Sequence, residues 1–133
     1  MAERSPAASI LHLAHTYYTK KEYNQASKLY MIAAEQGYET AQSNYAYILD
    51  MGLVSYDTEE NLQRRALVNW MRSSSQGAVE SKVKVGDYYY YGLGTPSDNQ
   101  KAFSFYTFAE QDRNACCWAS FCHSLNELLF ILL

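Results

Sequence analysis

Val85-Gly86-Asp87-Tyr88-Tyr89-Tyr90-Tyr91-Gly92-Leu93-Gly94 runs four consecutive tyrosines into a Gly-Leu-Gly turn. Three readings compete. Aromatic residues suit strands, a G-x-G can cradle phosphate at a helix N-terminus, and glycines can end one helix and turn the chain into the next. A dinucleotide loop needs a third glycine three positions after the second, but Ser97 stands there, and the Lys-Ser/Thr pair of a P-loop is absent. Ser81, Val85 and Tyr88 stand at i, i+4 and i+7, which is helical spacing. The stretch therefore reads as a helix end followed by its turn.

Working outward, the turn recurs. Gly92 follows Gly52 by 40 residues, and at the same offset Gln25-Ala26-Ser27-Lys28-Leu29-Tyr30-Met31-Ile32-Ala33-Ala34-Glu35-Gln36-Gly37 is matched by Arg65-Ala66-Leu67-Val68-Asn69-Trp70-Met71-Arg72-Ser73-Ser74-Ser75-Gln76-Gly77. A third copy starts at Lys101-Ala102, with Ala102 36 residues after Ala66, and a longer loop around residues 54–61 absorbs the difference. In each copy a large ring lies between two small residues at i, i+4 and i+7: Ala26, Tyr30 and Ala33; Ala66, Trp70 and Ser73; Ala102, Tyr106 and Ala109. Small residues let a neighbouring helix approach while the ring fills the adjacent groove, so each unit needs a neighbour to complete its core.

A second helix follows each Gly37-type turn, with Ala41, Tyr45 and Ile48 in one unit and Ser81, Val85 and Tyr88 in the next. Residues 10–18 read as the first helix of an earlier hairpin, closed by a turn at residues 20–24. The pattern predicts an all-α fold, an α-solenoid of about three helical hairpins. The core candidates are Ala26, Tyr30, Ala33, Tyr45, Ala66, Trp70, Tyr89, Ala102, Tyr106 and Ala109, and the turn candidates are Gly37, Gly52, Gly77, Gly92 and Gly94. The expected organisation is a leader over 1–9, a repeat array over 10–111 and a divergent apolar tail over 112–133.

These units resemble the Sel-1-like repeat family, a relative of the tetratricopeptide repeats. Residues 85–94 followed by Asp98-Asn99-Gln100-Lys101-Ala102 are similar to the family pattern Leu-Gly-x-x-Tyr-x-x-Gly-x-Gly, then Asp-x-x-Lys-Ala, with only Val85 departing. Ala26 to Gly37 meets Ala-x-x-x-Tyr-x-x-Ala-Ala-x-x-Gly fully; the second copy carries Ser73-Ser74 for the paired alanines, and the third has Asp112-Arg113 where a glycine is expected. The wording of residues 33–44 and 86–95 is similar to members that act as adaptors in endoplasmic-reticulum-associated degradation. That resemblance implies a short isoform or fragment of a membrane-anchored lumenal scaffold that delivers substrates to an Hrd-type ubiquitin ligase complex. Residues 1–6 lack the apolar run of a secretory signal, which leaves a cytoplasmic location as the alternative.

Composition narrows the function classes. The 133 residues are 48% hydrophobic with a net charge of −3, and apart from Lys20-Lys21 and Arg64-Arg65 the basic residues are scattered, which argues against a nucleic-acid partner. Cys116, Cys117, Cys122 and His123 lack a paired zinc-ligand spacing. They read as thiols on an apolar helix, with a small helical enzyme or metal binder as the rival. The run 128–133 is too short for a spanning helix; a tail helix packed on the last hairpin is the expectation, with membrane contact or self-association through the apolar end as alternatives. His12 and His15 lack the Glu base of His-Glu-x-x-His and read as a solvated flank, and Asp57, Glu59 and Glu60 as a solvated loop cluster. No catalytic set, cofactor or metal site is expected.

The expected function is a non-catalytic scaffold that binds protein or peptide partners, with a truncated isoform lacking autonomous function as the alternative. A helix sends Tyr88 to Tyr91 in four directions about 100° apart. Tyr89 is the predicted core anchor, and Tyr88, Tyr90 and Tyr91 are the partner-contact candidates.

Overall fold

The computed structural model describes residues 6–117. Six helices follow one another: α1 Pro6–Thr19, α2 Tyr23–Glu35, α3 Glu39–Asp50, α4 Glu59–Ser75, α5 Val79–Tyr91 and α6 Asn99–Cys117. Each packs on the next, giving three helical hairpins of an all-α solenoid. Helix α1 starts before residue 10, and helix α6 continues past residue 111. Pro6 is the first residue of α1, where its missing N–H leaves no bond unmade, and α6 carries on through Asp112, which pairs with Lys82 of α5.

Turn geometry marks the repeat phase. The amides of Glu22, Leu53 and Leu93 each donate back to a carbonyl five residues earlier, on Tyr17, Ile48 and Tyr88. Just before each of these amides the chain takes a positive φ, at Lys21 (63°), Gly52 (67°) and Gly92 (70°). Tyr38 and Ala78 make the same return, to Ala33 and Ser73, behind Gly37 (93°) and Gly77 (100°), so it is the smaller φ of Lys21, Gly52 and Gly92 that sets α1 with α3 and α5, although in chain order it opens the α1–α2 hairpin. Lys21 holds a left-handed conformation that disfavours any residue with a Cβ. Gly37, Gly77 and Gly94 also have positive φ.

Gly94 is bound by space as well as by angle. A Cβ there would lie 2.7 Å from the Arg64 amide nitrogen, so the loop after α5 rests on the backbone of α4. That loop also folds back on the helix it leaves: the Asp98 amide donates to the Tyr89 carbonyl at 2.8 Å and Ser97 Oγ to the Tyr90 carbonyl at 3.0 Å.

The long connection before α4 ends in a built helix start. Thr58 Oγ1 accepts from the Asn61 amide, while Asp57 Oδ1 accepts from the Thr58 amide at 2.8 Å and from Asn61 Nδ2 at 2.9 Å. The two bonds to Asp57, that from the Asn61 side chain first, hold its carboxyl below its ordinary value. Glu59 and Glu60 belong to the first turn of α4, where a helix favours negative charge, and are not a loop cluster.

The core is a row of large rings set among alanines. Tyr30, Tyr45, Trp70 and Tyr88 are buried together with Ile48, Leu49, Leu62 and Val85. Ala26, Ala33, Ala66, Ala102 and Ala109 are closed to solvent, which lets adjacent helices come close. Of the second copy's serines, Ser73 belongs to a polar seam, while Ser74 donates to the Met71 carbonyl of its own helix. Ser73 Oγ lies 2.6 Å from Ser81 Oγ and donates to Glu39 Oε1 at 2.5 Å, linking α3, α4 and α5. Gln76 extends the seam by donating to the Gly37 carbonyl and to Gln42 Oε1.

Candidate interaction surfaces

The four tyrosines separate by direction. Tyr88 is 1% exposed, and its hydroxyl donates to Asp50 Oδ1 at 2.7 Å. Burial first, and then the Asp50 carboxylate, push its pKa well above the ordinary tyrosine value. Lys84 Nζ reaches the other Asp50 oxygen at 3.2 Å, so one carboxylate ties α3 to two positions of α5. Tyr88 is therefore the core anchor and not a partner-contact residue. The stripe Ser81, Val85 and Tyr88 already pointed there, and one further residue turns Tyr89 about 100° away from it. Tyr89 is only half-buried; it stacks on Phe105 of α6 at 6.0 Å, with Lys101 Nζ 5.3 Å from its ring centroid.

Tyr90 and Tyr91 remain outside, 42% and 69% exposed, meeting edge to face at 4.9 Å. Phe103 of α6, 57% exposed, joins Tyr90 at 6.4 Å. The sequence reading missed Phe103. Its signal was weak, because the third copy was aligned through Ala102, Tyr106 and Ala109 alone. Tyr106 is half-buried, in contrast to the core position expected for it. Among the described residues no helix lies on the far side of α6, so one side of the ring stays open. Its other side covers Gly86: a Cβ at residue 86 would be 2.5 Å from the ring. The Tyr106 hydroxyl donates to Asp87 Oδ1 at 2.5 Å, and desolvation followed by that carboxylate raises its pKa.

His15 is more than a solvated flank. Its Nδ1 is 2.6 Å from the hydroxyl of buried Tyr30, with the rings edge to face at 5.4 Å. Burial raises the Tyr30 pKa to about 12, so the phenol is neutral at ordinary pH.

A second surface lies between α2 and α4, a cleft of about 320 Å³ lined by Met31, Glu35, Tyr45, Arg65, Asn69 and Arg72, among others. Asn69 Nδ2 donates to the Arg65 carbonyl at 2.9 Å, which fixes the amide and leaves Oδ1 buried without a partner. The Tyr45 hydroxyl is also buried and unpaired: Arg65 and Tyr56 approach it, but neither meets it in hydrogen-bonding geometry. Burial raises the Tyr45 pKa to about 12.

Among the described residues, no three His, Cys, Asp or Glu side chains gather as a metal site would require, and no helix is long and apolar enough to cross a membrane. Cys122, His123 and the run 128–133 lie outside the described residues, as do the readings placed on them.

No family model matches the chain. Individual proteins do. The ERAD-associated E3 ubiquitin-protein ligase component HRD3A of Arabidopsis thaliana is 39% identical over 121 residues, 85% of this chain and 18% of that protein. Protein sel-1 homolog 2 of Homo sapiens is 41% identical over 95 residues, 70% of this chain and 14% of that protein. The chain thus spans less than a fifth of the length of either relative. A crystal structure of a protective antigen of uropathogenic Escherichia coli with an SLR fold superposes with a TM-score of 0.65 at 26% identity, over 86% of this chain and 26% of the other. The repeated small-ring-small helices, the shared turn geometry and these likenesses agree: the chain belongs to the Sel1-like repeat family, related to the tetratricopeptide repeats and to the HRD3 and sel-1 proteins.

Proposed function

We propose that the protein is a non-catalytic adaptor that works in endoplasmic-reticulum-associated degradation, at the endoplasmic reticulum, by linking substrates to an Hrd-type ubiquitin ligase complex. The observation that carries the reading is the exposed cluster of Tyr90, Tyr91 and Phe103. Three rings stand in solvent at the junction of two helices whose relative position is set by buried groups. Rigid amphipathic rings gain contact area at little cost in conformational entropy, which suits a protein partner. The plant relatives, components of an ERAD-associated ubiquitin ligase by name, supply the pathway. The partner's identity within that complex rests on this likeness.

Affinity capture from cells tests it. The whole chain is compared with a variant carrying Tyr90→Ser, Tyr91→Ser and Phe103→Ser, all at exposed positions, so that the fold is kept. Recovery of a ubiquitin-ligase component by the native chain and its loss with the variant is the expected result. Equal recovery by both would remove the aromatic cluster from the interface, and recovery by neither would remove the pathway.

A further inference from the structure

The cleft between α2 and α4 departs from the repeat in a way that packing does not require. Asn69 occupies the place held by Leu29 in the first copy and Phe105 in the third, and Arg72 the place of Ile32 and Phe108. Tyr45 stands where the next unit has Val85. Three positions that are apolar elsewhere in the array thus carry polar or charged groups here, and all three line one cleft. Two of them, Tyr45 (2% exposed) and Asn69 (6%), each leave a buried polar atom unpaired. An orphan of that kind costs about 1–3 kcal/mol, so in a fold built only for stability an apolar residue would serve better.

The charge has a matching sign. Arg64, Arg65 and Arg72 line the cleft with Glu35 as the one acid in its wall, in a chain whose net charge is −3. Arg64 and Arg65 make half-exposed ion pairs with Glu60 and Asp57, which yield readily to a competing anion, and Arg72 has no ion-pair partner among the described residues. Asn69 Oδ1 can only accept a hydrogen bond, whereas the neutral Tyr45 phenol can donate one. A peptide unit supplies both complements, an N–H and a C=O.

We propose that this cleft binds an extended acidic peptide segment. A main-chain amide of the segment donates to Asn69 Oδ1, a main-chain carbonyl accepts from the Tyr45 hydroxyl, and glutamate or aspartate side chains lie against Arg72 and Arg65. The incoming carboxylate draws the Arg65 guanidinium outward and opens the floor of the cleft. This surface is separate from the Tyr90–Tyr91–Phe103 cluster, and it stands whether or not the ubiquitin-ligase pathway does.

Fluorescence anisotropy with the purified whole chain tests it, using a fluorescein-labelled peptide of four consecutive glutamates flanked by Gly-Ser and a glutamine counterpart. The glutamate peptide binds at least about tenfold more tightly than the glutamine one, and the preference shrinks as salt is raised. Tyr45→Phe and Asn69→Leu each weaken binding about fivefold, the size of one lost hydrogen bond, yet melt no lower than the native chain because each removes an orphaned atom. That opposition of binding and stability separates a binding role from a structural one. Absence of binding, equal affinity for the two peptides, or unchanged affinity in both variants overturns the proposal. Displacement by inorganic phosphate at the peptide's own concentration also overturns it, since the cleft would then be a general anion site.

Discussion

α4 and α6 carry the same repeat pattern and end up in different surroundings. Trp70 of α4 is buried between α3 and α5, whereas Tyr106, 36 residues later, is half-buried; Leu67 is buried, and its counterpart Phe103 is exposed. The alanines Ala66 and Ala102 are equally closed. In a solenoid, then, repeat phase states which face a residue occupies, and the neighbouring helix decides whether that face is core or interface. Among the described residues α4 packs on a helix to either side, whereas α6 packs chiefly on α5.

The most direct way to break this comparison is to truncate both rings. Trp70→Ala should cost about 3–5 kcal/mol, the range for deleting a buried aromatic, and Tyr106→Ala about 1–2 kcal/mol less. Urea denaturation followed by circular dichroism measures both, and equal costs would mean that α6 is as enclosed as α4. Gly86→Ala sharpens the contrast from the other side, because the added methyl meets the Tyr106 ring; a loss of about 1–3 kcal/mol is expected. If Tyr106→Ala rescues that loss, the clash is the cause. An additive double mutant would show that it is not.

Smaller effects concern the turns and the exposed rings. Lys21→Gly should stabilise the chain by up to about 1 kcal/mol, since glycine adopts positive φ without the Cβ penalty. A lower melting temperature would mean that the Lys21 side chain contributes something the turn geometry does not show. Tyr91→Ser should change stability by no more than about 0.5 kcal/mol, as befits an exposed position. A larger loss would place Tyr91 in the core beside Tyr88 and undo the separation of the four tyrosines.

Much of the scaffold was legible in order. The offset between Ala26 and Ala66, the rings at Tyr30 and Trp70 and the glycines at 37 and 77 announce helices and turns, because helix periodicity and positive φ are local properties that residue type encodes. The interaction surfaces were legible only in part. Tyr90 and Tyr91 stood out as surplus aromatics, but Tyr88 and Tyr89 were exchanged, and Phe103 was overlooked. Ser73 looked like a weakened repeat position until Ser81 and Glu39 came within reach. Tyr45 and Asn69 depart from the repeat in the sequence, but that these residues, 24 apart in the chain, share one cleft shows only once α3 and α4 lie side by side.

By itself the sequence determined the helices, their phase and the family, since each rests on spacing along one chain. Tertiary structure alone decided which tyrosine anchors the core, why Ser73 replaces an alanine, and where polar groups are left without partners. Those outcomes depend on the direction of a side chain relative to a second helix, and a helix turns by about 100° per residue. A reading one residue out therefore exchanges an inner face for an outer one.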